Sequence, residues 1–207
     1  MFYRTDVNDH GLPHDPFKAC VVPRPIGWIS TLSPAGVHNL APYSFFNGVA
    51  TAPPMVMFAS NGRQPHGAKD SLANVEETGE FVANLATWDL RDAMNRSSAP
   101  LGPDVDEFAF AGLEALPATL VRPARVSGAP VHLECVHHQT VDLPSNDPGG
   151  RNAIVIGQVV GVHIDDGLIS DGILDLSRVQ PLARLGYFDY TVVNEMFSIS
   201  RPKAPQS

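Results

Sequence analysis

Two long strand-like runs, "PVHLECVHHQTVDL" (Pro130–Leu143) and "NAIVIGQVVGVHID" (Asn152–Asp165), flank the short stretch "PSNDPGGR". A connection so rich in proline and glycine favours a reversal, and the two runs are expected to form an antiparallel hairpin. With nineteen prolines and seventeen glycines in 207 residues, the rest of the chain is punctuated too heavily for long helices.

Upstream, "GWISTLS" (Gly27–Ser33) reads as a strand with a turn at Ser33–Gly36, and "VHNLA" (Val37–Ala41) as its returning partner. "PMVMFAS" (Pro54–Ser60) and "FVANLA" (Phe81–Ala86) read as further strands. "KDSLANVEETGE" (Lys69–Glu80) carries helix signals: Asp70 or Ser71 as N-cap, Leu72 and Val75 on one face, Gly79 as the stop. "WDLRDAMNRS" (Trp88–Ser97) is expected to be a short helix. Strands dominate and helices interrupt them. The expected fold class is therefore mainly β with inserted helices, a closed or split β-barrel rather than a βαβ sandwich. No repeat or linker-like composition shift appears, so residues 1–207 are expected to be one domain, with an N-terminal segment 1–19 and a C-terminal tail 191–207. The last stretch, "RPKAPQS" (Arg201–Ser207), is expected to be disordered or draped over the surface.

Charge narrows the partners. The formal net charge of -8 and the absence of a basic stripe argue against nucleic acid and against an anionic membrane surface. The longest apolar run, "AIVIGQVVGV" (Ala153–Val162), is far short of a membrane span, and the acidic N-terminus does not read as a signal peptide. Cys20 and Cys135 allow one disulfide at most, and a reduced, cytoplasmic context is the simpler reading.

No G-x-G-x-x-G or Walker-type motif is present. "FASNGRQPHGAKDSLAN" (Phe58–Asn74) instead runs from a strand end at Ser60, through a loop with Arg63 and Lys69, into a helix start at Asp70–Ser71. Unpaired N–H groups at a helix start, with two cations and the hydroxyls of Ser60 and Ser71, suit an anion. An ordinary capped helix with two solvated cations fits the same residues. "HNLAPYSFFN" (His38–Asn47) fits neither helix nor strand, since its apolar spacing is irregular and Pro42 interrupts a ladder. Bare backbone at Ala41 and Ser44 suits a flat ring walled by Tyr43, Phe45 and Phe46; a core-filling loop is the plainer alternative. Alternation puts His132, Glu134 and His138 on one strand face, where a metal is possible but an exposed or interface strand with half-buried histidines is favoured. Cys135 falls on the opposite, core face.

The ordered set "VVPRPIGWISTLSPAGVHNLAPYSFFNGVATAPPMVMFAS", "KDSLANVEETGEFVANLA", "AMNRSS", "VDEFAFAGL", "HLEC", "IGQVVGVHIDD" and "PLARLGYFDY" resembles the flavin reductase-like, FMN-binding split-barrel family, including flavoredoxin-type NAD(P)H:flavin oxidoreductases. It spans about Cys20 to Tyr190. The resemblance implies FMN held largely by backbone, in a homodimer closing over the cofactor. It implies Trp28, Ser30 and Thr31 on the strand flanking the flavin, and Asn39, Leu40, Ala41 and Ser44 at the ring edge and ribityl chain. It implies Ser60, Arg63, Lys69, Asp70 and Ser71 at the phosphate, and Asn95 and Ser97 near the cofactor of the partner. The insert "NGRQPHG" is longer and richer in proline than the family pattern. Arg24, Arg184 and Tyr187 are candidates for nicotinamide or substrate, with surface or dimer-interface roles the alternative for the two arginines. No side-chain base is expected, because the cofactor carries hydride chemistry. The implied function is hydride transfer from NADH or NADPH to flavin, with electrons passed to a partner oxygenase or a small acceptor. The alternatives are a non-catalytic flavin- or haem-binding carrier or sensor, and a pyridoxamine-phosphate-oxidase-like enzyme, against which stands the lack of a second basic cluster.

Overall fold

The computed structural model describes residues 1–64 and 67–203. A one-turn helix α1 (Phe17–Cys20) leads into β1 (Arg24–Pro25), β2 (Gly27–Leu32), β3 (His38–Tyr43), β4 (Phe46–Thr51) and β5 (Pro54–Ser60). Helix α2 (Asp70–Thr78) precedes β6 (Glu80–Leu85), and α3 (Arg91–Arg96) and α4 (Glu107–Ala111) follow. The rest comprises β7 (Ala115–Leu116), β8 (Arg125–Val126), β9 (Val131–Leu143), β10 (Asn152–Ile164), β11 (Ile169–Ser170), β12 (Ile173–Leu174), β13 (Leu182–Arg184) and β14 (Tyr190–Val192).

Seven strands form one antiparallel sheet in the order β3-β2-β6-β9-β10-β5-β4, with the β9–β10 hairpin at its centre as the sequence predicts. The sheet curls, bringing β3 near β5 and β1 near β4. Inside the curl pack Ile29, Phe58, Leu72, Val75, Phe81, Cys135 and Val155. A second cluster of Trp28, Leu40, Met94, Phe108 and Val126 lies where α3 and α4 cover the sheet. Each fully buried large apolar side chain contributes roughly 1.5–3 kcal/mol, so these two clusters dominate stability.

Helix α2 forms over the predicted residues and stops at Gly79, whose φ of 76° takes the left-handed conformation at little cost. The N-cap expectation needs correction. Lys69 occupies the extended cap position, and Asp70 and Ser71 lie in the first turn, freeing their side chains for other partners. Helix α3 begins only at Arg91, because Trp88–Leu90 form a preceding turn.

The irregular "HNLAPYSFFN" is also corrected: His38–Tyr43 is a regular strand that continues through Pro42. It can do so because β3 is an edge strand. The Leu40 N–H points off the sheet to Glu107 Oε2, so its alternation partner Pro42 turns its missing donor outward and costs the ladder nothing. Tyr43 is buried against Phe58, and Phe46 packs on the core across Gly27, where a Cβ would meet its ring at 2.3 Å.

The shared face of His132, Glu134 and His138 is broken by a bulge. Ile156 pairs with Gln139 and Gly157 with His137, leaving His138 out of register and exposed. His132 and Glu134 are buried instead, and Glu134 faces His163 across the hairpin. Residues 201–203 have no regular structure; the remainder of the tail lies outside the described residues. No helix among the described residues is long and apolar enough to cross a membrane.

Candidate functional site

Three cavities meet at the Pro42–Ser44 end of β3. The first, about 230 Å³, lies between β3 and the start of α2, and is lined by Asn39, Ala41, Arg63, Lys69, Ser71 and Glu107 among others. The second, about 440 Å³, opens beside Ser44 and is lined by Lys18, Arg24, Lys69, Arg184 and Tyr187. The third, about 300 Å³, adds Asn95 and Ser98 next to Arg184. Volumes of this order are those of small-molecule sites.

A chain of hydrogen bonds fixes the wall between sheet and helix. Ser71 Oγ donates to Asn39 Oδ1 at 2.7 Å, Thr31 Oγ1 donates to the same oxygen at 3.1 Å, and Asn74 Nδ2 donates to Thr31 Oγ1 at 3.0 Å. Tyr43 stands beside the Ser71 and Ser60 hydroxyls; burial outweighs them and pushes its phenol up to about 12. Among the described residues, the Ser60 hydroxyl, 1% exposed, nevertheless has no hydrogen bond of good geometry, nor has Gln64 Oε1 on the first cavity. Lys69 is held below the usual lysine range, first by burial and then by Lys18, and its ammonium lies 5.6 Å from the centre of the Tyr43 ring. Glu107 is pushed up to about 7 by burial, against the hydrogen bonds of Asn39 and Leu40.

Of the sequence-predicted residues, the cavities gather Arg24, Asn39, Ala41, Ser44, Arg63, Lys69, Asp70, Ser71, Asn95, Ser97, Arg184 and Tyr187. Trp28, Ser30, Thr31 and Leu40 are buried behind them, and Ser60 is buried nearby. The polar groups of the first two are already used: Trp28 Nε1 donates to Ser97 Oγ at 2.8 Å, and Ser30 Oγ to the Ala124 carbonyl. Arg63 leans toward Asp147 at 4.0 Å. Arg24 is tied to the carbonyls of Lys18, Val21 and Leu185, and Arg184 to Tyr187 O and the Tyr190 hydroxyl. Both are better suited to present fixed charge than to reach for a ligand. Tyr187 has a φ of 54°, a left-handed backbone uncommon for a bulky residue.

Glu107, Lys18 and Asp15 line the cavities without having been singled out. Nothing in their local sequence marks them, since long-range folding brings them to β3. Among the described residues, no group of three His, Cys, Asp or Glu is placed to hold a metal.

The profile of the flavin reductase-like domain matches residues 19–189. The chain belongs to the flavin reductase-like family. An uncharacterized member from Halalkalibacterium halodurans is 38% identical over 190 residues, covering 90% of each chain. Nitrilotriacetate monooxygenase component B from Bacillus cereus is 26% identical, with a TM-score of 0.88 over 96% of this chain and 98% of its own. A putative flavin reductase with a split-barrel domain from Shewanella frigidimarina has a TM-score of 0.83 at 19% identity, over 98% of this chain and 100% of its own. The curled sheet is thus the split barrel of the flavin reductase-like proteins.

Proposed function

We propose that this flavin reductase-like protein is a single-domain, cytoplasmic, FMN-dependent oxidoreductase that takes a hydride from NADH or NADPH. Its electrons go to a partner oxygenase or a small acceptor. The carrying observation is the Ser71–Asn39 bond, which joins the proposed phosphate-side turn to the proposed ring-side strand along one cavity.

The residues present fit FMN. A phosphate needs donors and positive charge; the turn Lys69–Ser71 starts a nine-residue helix, Lys69 and Arg63 line the same cavity, and the buried Ser60 hydroxyl lacks a good partner among the described residues. A flat ring needs close backbone, and Ala41 and Pro42 give a small-residue rim on an edge strand. Bound flavin would supply the hydride-accepting chemistry itself. The chain's part is positional: the Asn39–Thr31–Asn74 network holds β3 against α2, while Ser44 and Tyr43 border the space where a second ring would stack. Hydrogen-bond donors beside the ring would stabilise the charge that develops on reduction. Partner copies would bring Asn95 and Ser97 together with the cofactor of the other subunit.

The test is a titration with FMN followed by flavin fluorescence, and nicotinamide absorbance under air with added FMN. Quenching with oxidation of NADH or NADPH supports the proposal. Tight FMN binding without oxidation of either nucleotide would assign a carrier or sensor instead.

A further inference from the structure

Glu107 lines the 230 Å³ cavity assigned above to the phosphate end of the cofactor, although it is itself an acid. It is only 4% exposed, and its Oε2 accepts from the Leu40 N–H at 3.3 Å. The buried Glu134 is far better served, by Thr119 at 2.7 Å, Leu120 at 2.6 Å and His163. Among the described residues Glu107 makes no ion pair, whereas Glu76 and Glu80 each hold an arginine. Burial pushes its carboxyl up to about 7; the hydrogen bonds of Asn39 and Leu40 oppose that shift, and the Asp70 carboxylate on α2 adds to it. The cations of the same cavity stand at the helix start: Lys69 caps α2, and Arg63 lies on the loop before it, 4.0 Å from Asp147. On the remaining sides, Ser97 and Ser98 are uncharged, His38 packs its ring on Phe108, and Asp106 caps its own helix.

A phosphomonoester brings about 1.5–2 negative charges near pH 7. A cavity of 230 Å³ is about 8 Å across, no more than a Debye length at physiological ionic strength, so salt does not hide one anion in it from another. Two unit charges that far apart, at an effective dielectric of about 20, shift a protonation equilibrium roughly thirtyfold. We infer that Glu107 takes a proton from solvent when FMN binds, so that the flavin is held tightly below neutral pH and released above it. The inference rests on the oxidoreductase reading and adds to it a control over cofactor retention. Below about pH 7 the carboxyl already holds its proton and opposes the phosphate little. Above that, each FMN must draw a proton in, and affinity falls as pH rises. Protonation also turns the carboxyl from a pure acceptor into a donor for a cofactor oxygen.

Calorimetric titration with FMN at pH 7.5, in two buffers of different protonation enthalpy, counts the protons. The wild type is expected to take up roughly half a proton or more per FMN, and its dissociation constant, read by flavin fluorescence, to rise about fivefold or more from pH 7 to 8.5. Glu107→Gln, a neutral copy of the protonated carboxyl, should abolish the uptake and leave only the slope due to Lys69. Riboflavin, which lacks the phosphate, should draw less proton into the wild type than FMN does, a comparison that needs no variant. The inference is overturned if FMN binds without proton uptake, if Glu107→Gln takes up as much, or if riboflavin draws in as much as FMN. A chain that takes up no FMN at any of these pH values defeats the function proposed above and the inference with it; binding without uptake defeats the inference alone.

Discussion

Ser71, in the first turn of α2, donates a 2.7 Å hydrogen bond to Asn39 on β3, and so locks the start of a helix to the rim of a sheet. The bond is buried at both ends, with Ser71 1% and Asn39 7% exposed. A neutral bond of this kind contributes about 1 kcal/mol to stability, and a hydrogen bond made directly to a charged group, such as a phosphate at this turn, about 1.5–3 kcal/mol. Ser71→Ala is therefore expected to lower FMN affinity at least tenfold while costing about 1 kcal/mol in urea unfolding. Asn39→Ala, which also strands Thr31, should do more on both counts. Equal FMN titration curves for wild type and Ser71→Ala would remove this corner from the cofactor site.

Glu107 accepts from the Leu40 N–H at 3.3 Å, and its carboxyl is pushed up to about 7 by burial. The folded state thus holds its proton where the unfolded chain, near 4.3, has released it. Stability from this group is complete below about pH 4.3 and is lost as pH rises through about 7. Glu107→Gln should flatten that part of the profile, an effect of about 1–2 kcal/mol once solvent screening is allowed for. Urea midpoints measured across the range check it; parallel profiles for the two proteins would refute it.

Glu134 is fully buried and accepts from the N–H groups of Thr119 at 2.7 Å and Leu120 at 2.6 Å, with His163 as a third partner. Burial alone would raise its carboxyl, but these three donors hold it below the usual range. Its contribution is accordingly present above about pH 4.3 and lost as pH falls through its lower folded value. Glu134→Ala leaves the donors unpaired and should cost about 3–5 kcal/mol, and His163→Ala only about 1–2 kcal/mol. Chemical denaturation of both variants separates the two effects, and equal losses would mean that the histidine, not the backbone, is what the carboxylate serves.

Gly27→Ala would drive a methyl into the Phe46 ring, whose nearest atom lies 2.3 Å from where that methyl would stand. Overpacking of this kind costs about 1–3 kcal/mol. The strand bearing Phe46 should also shift, which near-ultraviolet circular dichroism would register. Phe46→Leu in the same chain is expected to recover part of the loss.

Much of the fold is legible in the sequence, for identifiable reasons. The β9–β10 hairpin and α2 announce themselves through local signals, alternation and a stop glycine, which tertiary contacts do not override. The strand through Pro42 is hidden because a proline is tolerated only on an edge, and position within a sheet is set by the whole chain. His138 leaves the face of His132 and Glu134 because a bulge advances the register by one residue, an event that strict alternation ignores. Lys18 and Glu107 escape notice at the cavities because one lies on the short leading helix and the other 68 positions after Asn39 in the sequence, joined to it only by folding.

Pro42 has a final consequence, for solubility. An open sheet border ordinarily invites a foreign strand to add to it, the first step toward aggregation. Because the outward groups at this position lack a donor, an intruding peptide meets a gap in the row it would need to copy. The protein can therefore keep one border of its barrel accessible to small molecules without that border becoming a template for self-association.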